Sequence, residues 1–286
     1  MANLKEIRGR ISSISSTMQI TSAMKMVSAA KLKKAQDAIV MLRPYSEKLQ
    51  EIIENVSASS DSSNLSEYAI QREVKKVLFI TITSNRGLAG AFNSSVIKEL
   101  NTKLSASTNV EVEILAVGKK VYDSVRRNRT VYSNSSSLFD SLTFDNVSSI
   151  TEKVMKDFRL GNFDKVYVIY NKFINAATQE VVTEQLLPIS VSENTASSNV
   201  DYVFEPGREA ILDTLIPKSI KTQVFKAVLD SVAAEHGARM TAMHKATDNA
   251  QSLKNDLVIF YNKARQAAIT NEILEIVSGA EALKGS

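Results

Sequence analysis

Apolar positions recur every three or four residues from the start of the chain, at Ile7, Ile11, Ile14, Met18 and Thr21. The spacing weakens at Lys25 and Ser28, resumes at Leu32, Ala35, Ile39 and Leu42, and continues through Leu49, Ile53 and Val56. A 3.5-residue period sustained this long predicts a coiled-coil seam. At 1.5 Å per residue, a helix over 3–56 would be roughly 80 Å long. Pro44 should bend that helix or restart it. A second helical pattern runs from Arg208 to Lys284, roughly 115 Å if continuous, with Pro217 predicting a kink near its start. Its middle carries Ala233, Ala234, Ala238, Ala242, Ala246 and Ala250. Small residues on one face let two helix backbones approach closely, although alanine is also simply the best helix former. Beyond Leu253 the apolar face widens through Leu257, Phe260, Ile269, Ile273, Leu274, Ile276, Val277, Ala280 and Leu283. If the two helices are level at one end, the second overshoots the first by about 20 residues at the other. An overhang apolar nearly all round must be enclosed by something else.

Between the helical ends the period changes. Val77 to Thr83 reads as a buried strand, followed by a glycine-containing turn and a helix ending near Leu104. Val112 to Val117 and Val166 to Tyr170 read as further strands, with Val181 to Leu187 as a candidate fourth. Helices are expected at Lys119 to Arg127 and Val147 to Leu160, and serine-rich loops at Ser57 to Ser66 and Ser133 to Ser137. Alternating strands and helices imply a mostly parallel sheet covered by helices. The predicted organisation is a shaft of 1–56 and 207–286, an α/β domain over 74–190, and connecting loops at 57–73 and 191–206. Inserting that domain between the terminal helices leaves them free to pair antiparallel.

Composition narrows the chemistry. The 286 residues contain no cysteine, which excludes disulfides, thiol catalysis and thiolate metal sites. Only two histidines are present, His236 and His244, eight apart on one helix and too distant to share a metal. The net charge of +4 is compatible with an acidic partner but too mild to imply nucleic acid. No apolar run reaches the ~20 residues needed to cross a bilayer, and Met1 to Ile11 has no signal-peptide pattern.

Gly87 and Gly90 sit between a strand and a helix, which invites a dinucleotide reading, but the pattern is GxxG without a third glycine. Gly118-Lys119-Lys120 lacks the upstream glycine and the hydroxyl residue of a phosphate-binding loop. Glu272 and Glu275 lie one turn apart with no base, nucleophile or pocket beside them. No active site and no cofactor are expected. Ile20, Met24 and Val27 fall off the seam, beside Lys25 and ahead of Lys31, Lys33 and Lys34. Those lysines fit a solvated helix face. Apolar neighbours turned away from the seam favour a partner carrying acidic groups instead.

Several ordered segments resemble the gamma subunit of F-type ATP synthases. They are Ile20 to Lys31 (ITSAMKMVSAAK) with Arg43-Pro44-Tyr45, then Ala238 to Met243 (ARMTAM) and Ala246 to Ala250 (ATDNA). Tyr261 to Glu272 (YNKARQAAITNE) and Glu275 to Ala280 (EIVSGA) follow. In the middle stand Ser84 to Gly90 (SNRGLAG), Asn171 to Asn175 (NKFIN) and Tyr202 to Pro206 (YVFEP).

The resemblance implies a long antiparallel coiled coil of the terminal helices with an inserted Rossmann-like α/β domain. It implies a central rotor shaft of a proton-translocating ATP synthase, a non-catalytic subunit that couples ring rotation to conformational cycling of the catalytic subunits. Its partners would be the alpha and beta subunits, with one copy per hexamer, an epsilon subunit and the membrane c-ring. By matching position, Ile20, Met24, Lys25, Val27, Lys31, Lys33, Lys34 and Arg239 would face the catalytic subunits. Arg265, Gln266, Thr270 and Glu272 would contact loops higher in the bore. Ile273, Ile276, Val277 and Ala280 would turn in an apolar sleeve, and Tyr202 and Glu205 would belong to the foot. The location implied is peripheral, at the cytoplasmic face of a bacterial inner membrane. Two rival readings make other predictions: a nucleotide-binding enzyme with a helical arm requires a ligand motif, and a passive tether requires a polar helix end.

Overall fold

The computed structural model describes residues 4–58, 67–106, 110–189 and 208–284. The expected loop at 191–206 and most of that at 57–66 lie outside the described residues. Among the described residues the elements follow in the order α1 (Leu4–Ala58), β1 (Lys76–Ile82), α2 (Phe92–Ala106), β2 (Glu111–Val117), α3 (Lys119–Val125), β3 (Val131–Asn134), a 3-10 turn (Ser136–Asp140), α4 (Phe144–Arg159), β4 (Lys165–Phe173), β5 (Gln179–Leu187) and α5 (Arg208–Lys284). The chain is therefore mixed α/β with long N- and C-terminal helices. It divides into two compact units, Met1–Val27 with Met240–Ser286, and Ser28–Arg239.

In the first unit the start of α1 lies antiparallel to the distal part of α5. Arg8 donates to the Tyr261 hydroxyl at 2.7 Å, and the Thr21 and Thr247 hydroxyls are 2.8 Å apart. The covered positions of α1 include Leu4, Ile7, Ile11, Ile14, Met18 and Thr21. Those of α5 include Met243, Thr247, Ala250, Lys254, Leu257, Tyr261 and Ala264. Both rows step by three and four, the spacing that keeps one stripe turned to a partner helix.

In the second unit α1 keeps that stripe, with Ser28, Leu32, Ala35, Ile39 and Leu49 buried. The weak seam positions are thus covered as well: Ser28 is buried and Lys25, in the first unit, is partly so. α1 also runs uninterrupted through Pro44, whose exposed ring lies off the stripe. The sheet has the order β3-β2-β1-β4-β5, with β1 parallel to both β2 and β4 and β2 parallel to β3. β5 is antiparallel to β4, joined by a short turn in which the Asn175 carboxamide oxygen accepts from the amides of Ala177 and Thr178. The residues expected to form a serine loop at 133–137 are divided between β3 and the 3-10 turn.

Strand alternation fills two apolar layers. Leu78, Ile80 and Ile82 of β1, Leu115 and Val117 of β2, and Val166, Val168 and Tyr170 of β4 face α4 and the Leu212 to Val228 stretch of α5. Val77, Phe79, Ile114, Ala116 and Ile169 face α2 and α3 on the other side. Gly118 makes the turn from β2 into α3 at φ 114°, and a β-carbon there would lie 2.1 Å from the Thr83 carbonyl oxygen. Gly118→Ala should therefore cost at least about 2–3 kcal/mol of stability. Gly87→Ala, where the atom nearest an added β-carbon is the end of Lys120 at 3.9 Å, should stay within ~0.5 kcal/mol when both variants are compared by urea titration.

Candidate functional site

Among the described residues, those singled out by the sequence lie on helix surfaces, with Arg239 the exception. In the first unit Ile20 and Val27 are largely exposed, while Met24 and Lys25 are partly buried. In the second unit Lys31, Lys33 and Lys34 are exposed, and the Lys33 ammonium lies 2.9 Å from Asp37. An exposed pair at this spacing contributes only ~0.3–0.5 kcal/mol, so a carboxylate on a partner can replace Asp37 at little cost.

The distal end of α5 is more unusual. Every residue from 265 to 280 is exposed, although α5 remains helical to Lys284. Arg265, Gln266, Thr270 and Glu272 occupy its first part, with the Thr270 hydroxyl donating to the Gln266 carbonyl at 3.0 Å. Ile273, Leu274, Ile276 and Val277 follow with more than half of their surfaces in solvent, and Ala280 is exposed as well. α1 supplies no cover here: its first described residue, Leu4, belongs to the pairing that ends near Ala264. A contiguous apolar surface of this kind marks an interaction site.

Arg239 departs from expectation. It was expected at an outer interface, yet it is buried inside the second unit, 7% exposed. Its guanidinium meets Glu235 at 2.6 Å and the carbonyl oxygens of Gly87 and Arg86 at 3.1 and 3.3 Å. A basic residue at helical spacing reads as a surface residue, and only the neighbouring carboxylate and loop show otherwise. Three more ionisable groups share this stretch of α5. Burial raises the Asp230 carboxyl above its ordinary value, against the pull of Lys226, Arg43 and Lys172. Burial likewise raises Glu235 despite Arg239 beside it. Burial, followed by the positive charges of Arg239 and Lys31, lowers His236 to about 4. Sequence reasoning assigned no role to Asp230 or Glu235; acidic residues at apolar helix positions are the signal that was available.

Tyr202 and Glu205, the expected foot residues, lie outside the described residues. Among the described residues no group of three or more His, Asp or Glu could hold a metal ion. No helix among them is long and apolar enough to cross a membrane. The glycine-containing loop after β1 is tied up by its own contacts. The Asn93 side chain accepts from the Ser84 amide at 3.0 Å, and the Asn85 side chain accepts from the Lys119 amide at 2.9 Å.

The family described as ATP synthase matches residues 3–283. The chain is 60% identical, over all of both chains, to the ATP synthase gamma chain of Flavobacterium psychrophilum. It is 42% identical, again over both full lengths, to that of a Geobacter species. Among solved structures, a chain of the Tetrahymena thermophila mitochondrial ATP synthase central stalk and c-ring matches with a TM-score of 0.60 and 25% identity. That match covers 79% of this chain and 99% of the other. A rotor chain of the Euglena gracilis mitochondrial enzyme matches with a TM-score of 0.64 at 20% identity, over 93% and 98% of the two chains.

The buried imidazole generates a pH prediction. The folded chain holds His236 neutral down to about 4, whereas the unfolded chain takes up a proton near 6.5. Below that value the unfolded state binds more protons, so this residue's contribution is complete above about 6.5 and is lost as pH falls toward 4. The raised carboxyls of Asp230 and Glu235 act in the opposite sense, so the comparison must be with a variant. Urea unfolding between pH 7 and 4.5 should show wild type losing more stability than His236→Gln.

Proposed function

We infer that this chain, which belongs to the ATP synthase gamma-chain family along its whole length, works as the central rotor shaft of that enzyme. In this reading its paired helices stand within a hexamer of alpha and beta subunits, one copy per hexamer. The α/β part rests with an epsilon subunit on a proton-driven c-ring at the inner face of a bacterial membrane. The shaft catalyses nothing. As it turns it offers a different surface to each catalytic subunit, and only the difference in contact free energy between states can bias their nucleotide affinity.

The observation that carries this reading is the exposed end of α5, where Ile269, Ile273, Leu274, Ile276 and Val277 stand in solvent. A passive tether has no use for such an end, and a nucleotide enzyme with a helical arm would need a ligand motif that the sequence lacks. Energetics fit a sleeve that holds loosely. Ile269, Ile273, Leu274, Ile276 and Val277 are already about half covered, so burying the remainder would contribute roughly 4–8 kcal/mol gross. Association costs on the order of 4–15 kcal/mol. Gain and cost nearly cancel, and apolar contact has no preferred direction, so the tip can turn. Lys25, Lys31, Lys33 and Lys34 supply the charge that an acidic loop on the catalytic subunits would meet.

Co-expression with the catalytic-hexamer subunits should yield one copy of this chain per hexamer by native mass spectrometry. Equimolar incorporation, or none, would sink the rotor reading. Within the assembled enzyme, Ile273→Asp with Ile276→Asp should reduce incorporation of the chain, while its isolated folding stability stays within ~0.5 kcal/mol because both side chains are already in water. Reversing all four lysines to Glu should cut coupled ATP synthesis several-fold. Unchanged synthesis would remove the electrostatic part of the mechanism.

A further inference from the structure

An open sheet whose strand order reverses direction leaves a crevice at the carboxyl ends of the strands flanking the reversal, and ligands of such folds settle there. Here the reversal lies between β1 and β4. The chain leaves β1 through α2 and α3 on one face and returns to β4 through α4 on the other. The crevice is filled by the chain itself. Ala234 and Ala238 of α5 pack against Ala89 and Phe92, which follow β1, and against Phe173 at the end of β4. The approach is close: a β-carbon on Gly237 would stand 3.3 Å from both the Cα and the carbonyl oxygen of Ala176, tighter than ordinary contact. Glycine is otherwise a poor residue for a helix interior, so its presence fits this contact.

Arg239 completes the closure. One terminal nitrogen of its guanidinium donates to Glu235, and the other reaches the carbonyl oxygens of Gly87 and Arg86. The paired side chains are nearly covered, so neither charge is tolerable without the other. The planar fork spans a carboxylate on one side and two carbonyls on the other, which a compact ammonium cannot do. The segment it holds contains Leu88 at φ 62°, a left-handed conformation costly for a leucine, which persists only when its surroundings dictate it.

We propose that the Ala234 to Arg239 turn of α5 is a wedge in the sheet's ligand crevice, and that Arg239, held by Glu235, is the positioning residue that latches the 84–90 loop to α5. The α/β part of the second unit is thereby locked to the helix instead of being open to a nucleotide. The mechanical consequence rests on the rotor reading: torque delivered to the α/β part enters α5 through this latch. The latch itself does not depend on that reading.

The two are separated by measuring hydrogen exchange on the full chain and coupling in the assembled enzyme, for wild type, Arg239→Gln, Arg239→Lys and Glu235→Gln. Losing a charge-assisted hydrogen bond should speed exchange of amides 84–91 by about tenfold in both Arg239 variants. Amides of β1 and β4 should speed by much less than those of the loop. In the assembled enzyme the Arg239 variants should still hydrolyse ATP but pump several-fold fewer ions per ATP. Unchanged loop exchange in both Arg239 variants overturns the latch. Faster loop exchange with full coupling overturns its mechanical role. Should all three variants also melt the β1 and β4 amides, the ion pair is a core support and not a local latch. If wild type fails to couple hydrolysis to pumping, the rotor reading falls and the exchange data alone decide the latch.

Discussion

The second unit depends on α5 being enclosed on two sides at once. From Leu212 to Arg239 its buried positions occupy most of the helix circumference. Leu212, Ile216, Ile220, Val224 and Val228 belong to the layer shared with α4 and the sheet. α1 lies along another side, where the Lys218 ammonium sits 5.7 Å from the centre of the Tyr45 ring and Arg43 and Lys31 act on Asp230 and Glu235. A helix apolar on nearly all sides is stable only when covered on nearly all sides. The sheet, α4 and α1 thus share a single scaffold element. The same helix continues past Ala264 with every residue from 265 to 280 exposed, a contrast on which the proposed division between a folding end and a binding end rests.

Within the enclosed stretch, Asp230, Glu235, His236 and Arg239 are costly residues. Apolar side chains of similar volume could be more stabilising there, because desolvating charge offsets most of what an ion pair gains. What the Arg239 fork adds is direction. It fixes one loop, in one conformation, against one turn of helix, where apolar packing alone would admit small slides. Ala234, Gly237 and Ala238 make that contact short enough for the fork to reach.

Local periodicity made the helices legible, because a stripe of covered residues depends only on spacing along one chain. Ile7 to Leu49 and their spacing needed nothing else, and neither did the strands read at 77–83 and 166–170, whose largely apolar runs require cover on both faces. β3 was not legible: Val131 to Asn134 is a half-covered edge of four residues that becomes a strand because β2 lies beside it. The antiparallel sense of β5 is likewise a property of the short turn at 174–178 acting with β4. At the surface, Ile20, Val27 and the apolar end of α5 could be read from their departure from the seam. Arg239 could not, since its partners Arg86 and Gly87 are some 150 residues away along the chain.

The amino-acid sequence by itself therefore determined the two long helices, the buried strands, the absence of thiol chemistry and the exposed apolar residues at the end of α5. Each is decided by residue type and spacing. Tertiary structure alone decided which ionisable groups are turned inward, what fills the crevice of the sheet, and that a basic residue suited to an interface is instead held inside the fold. Those outcomes turn on which atoms remote segments bring within hydrogen-bond reach, and distance along the chain carries no record of that.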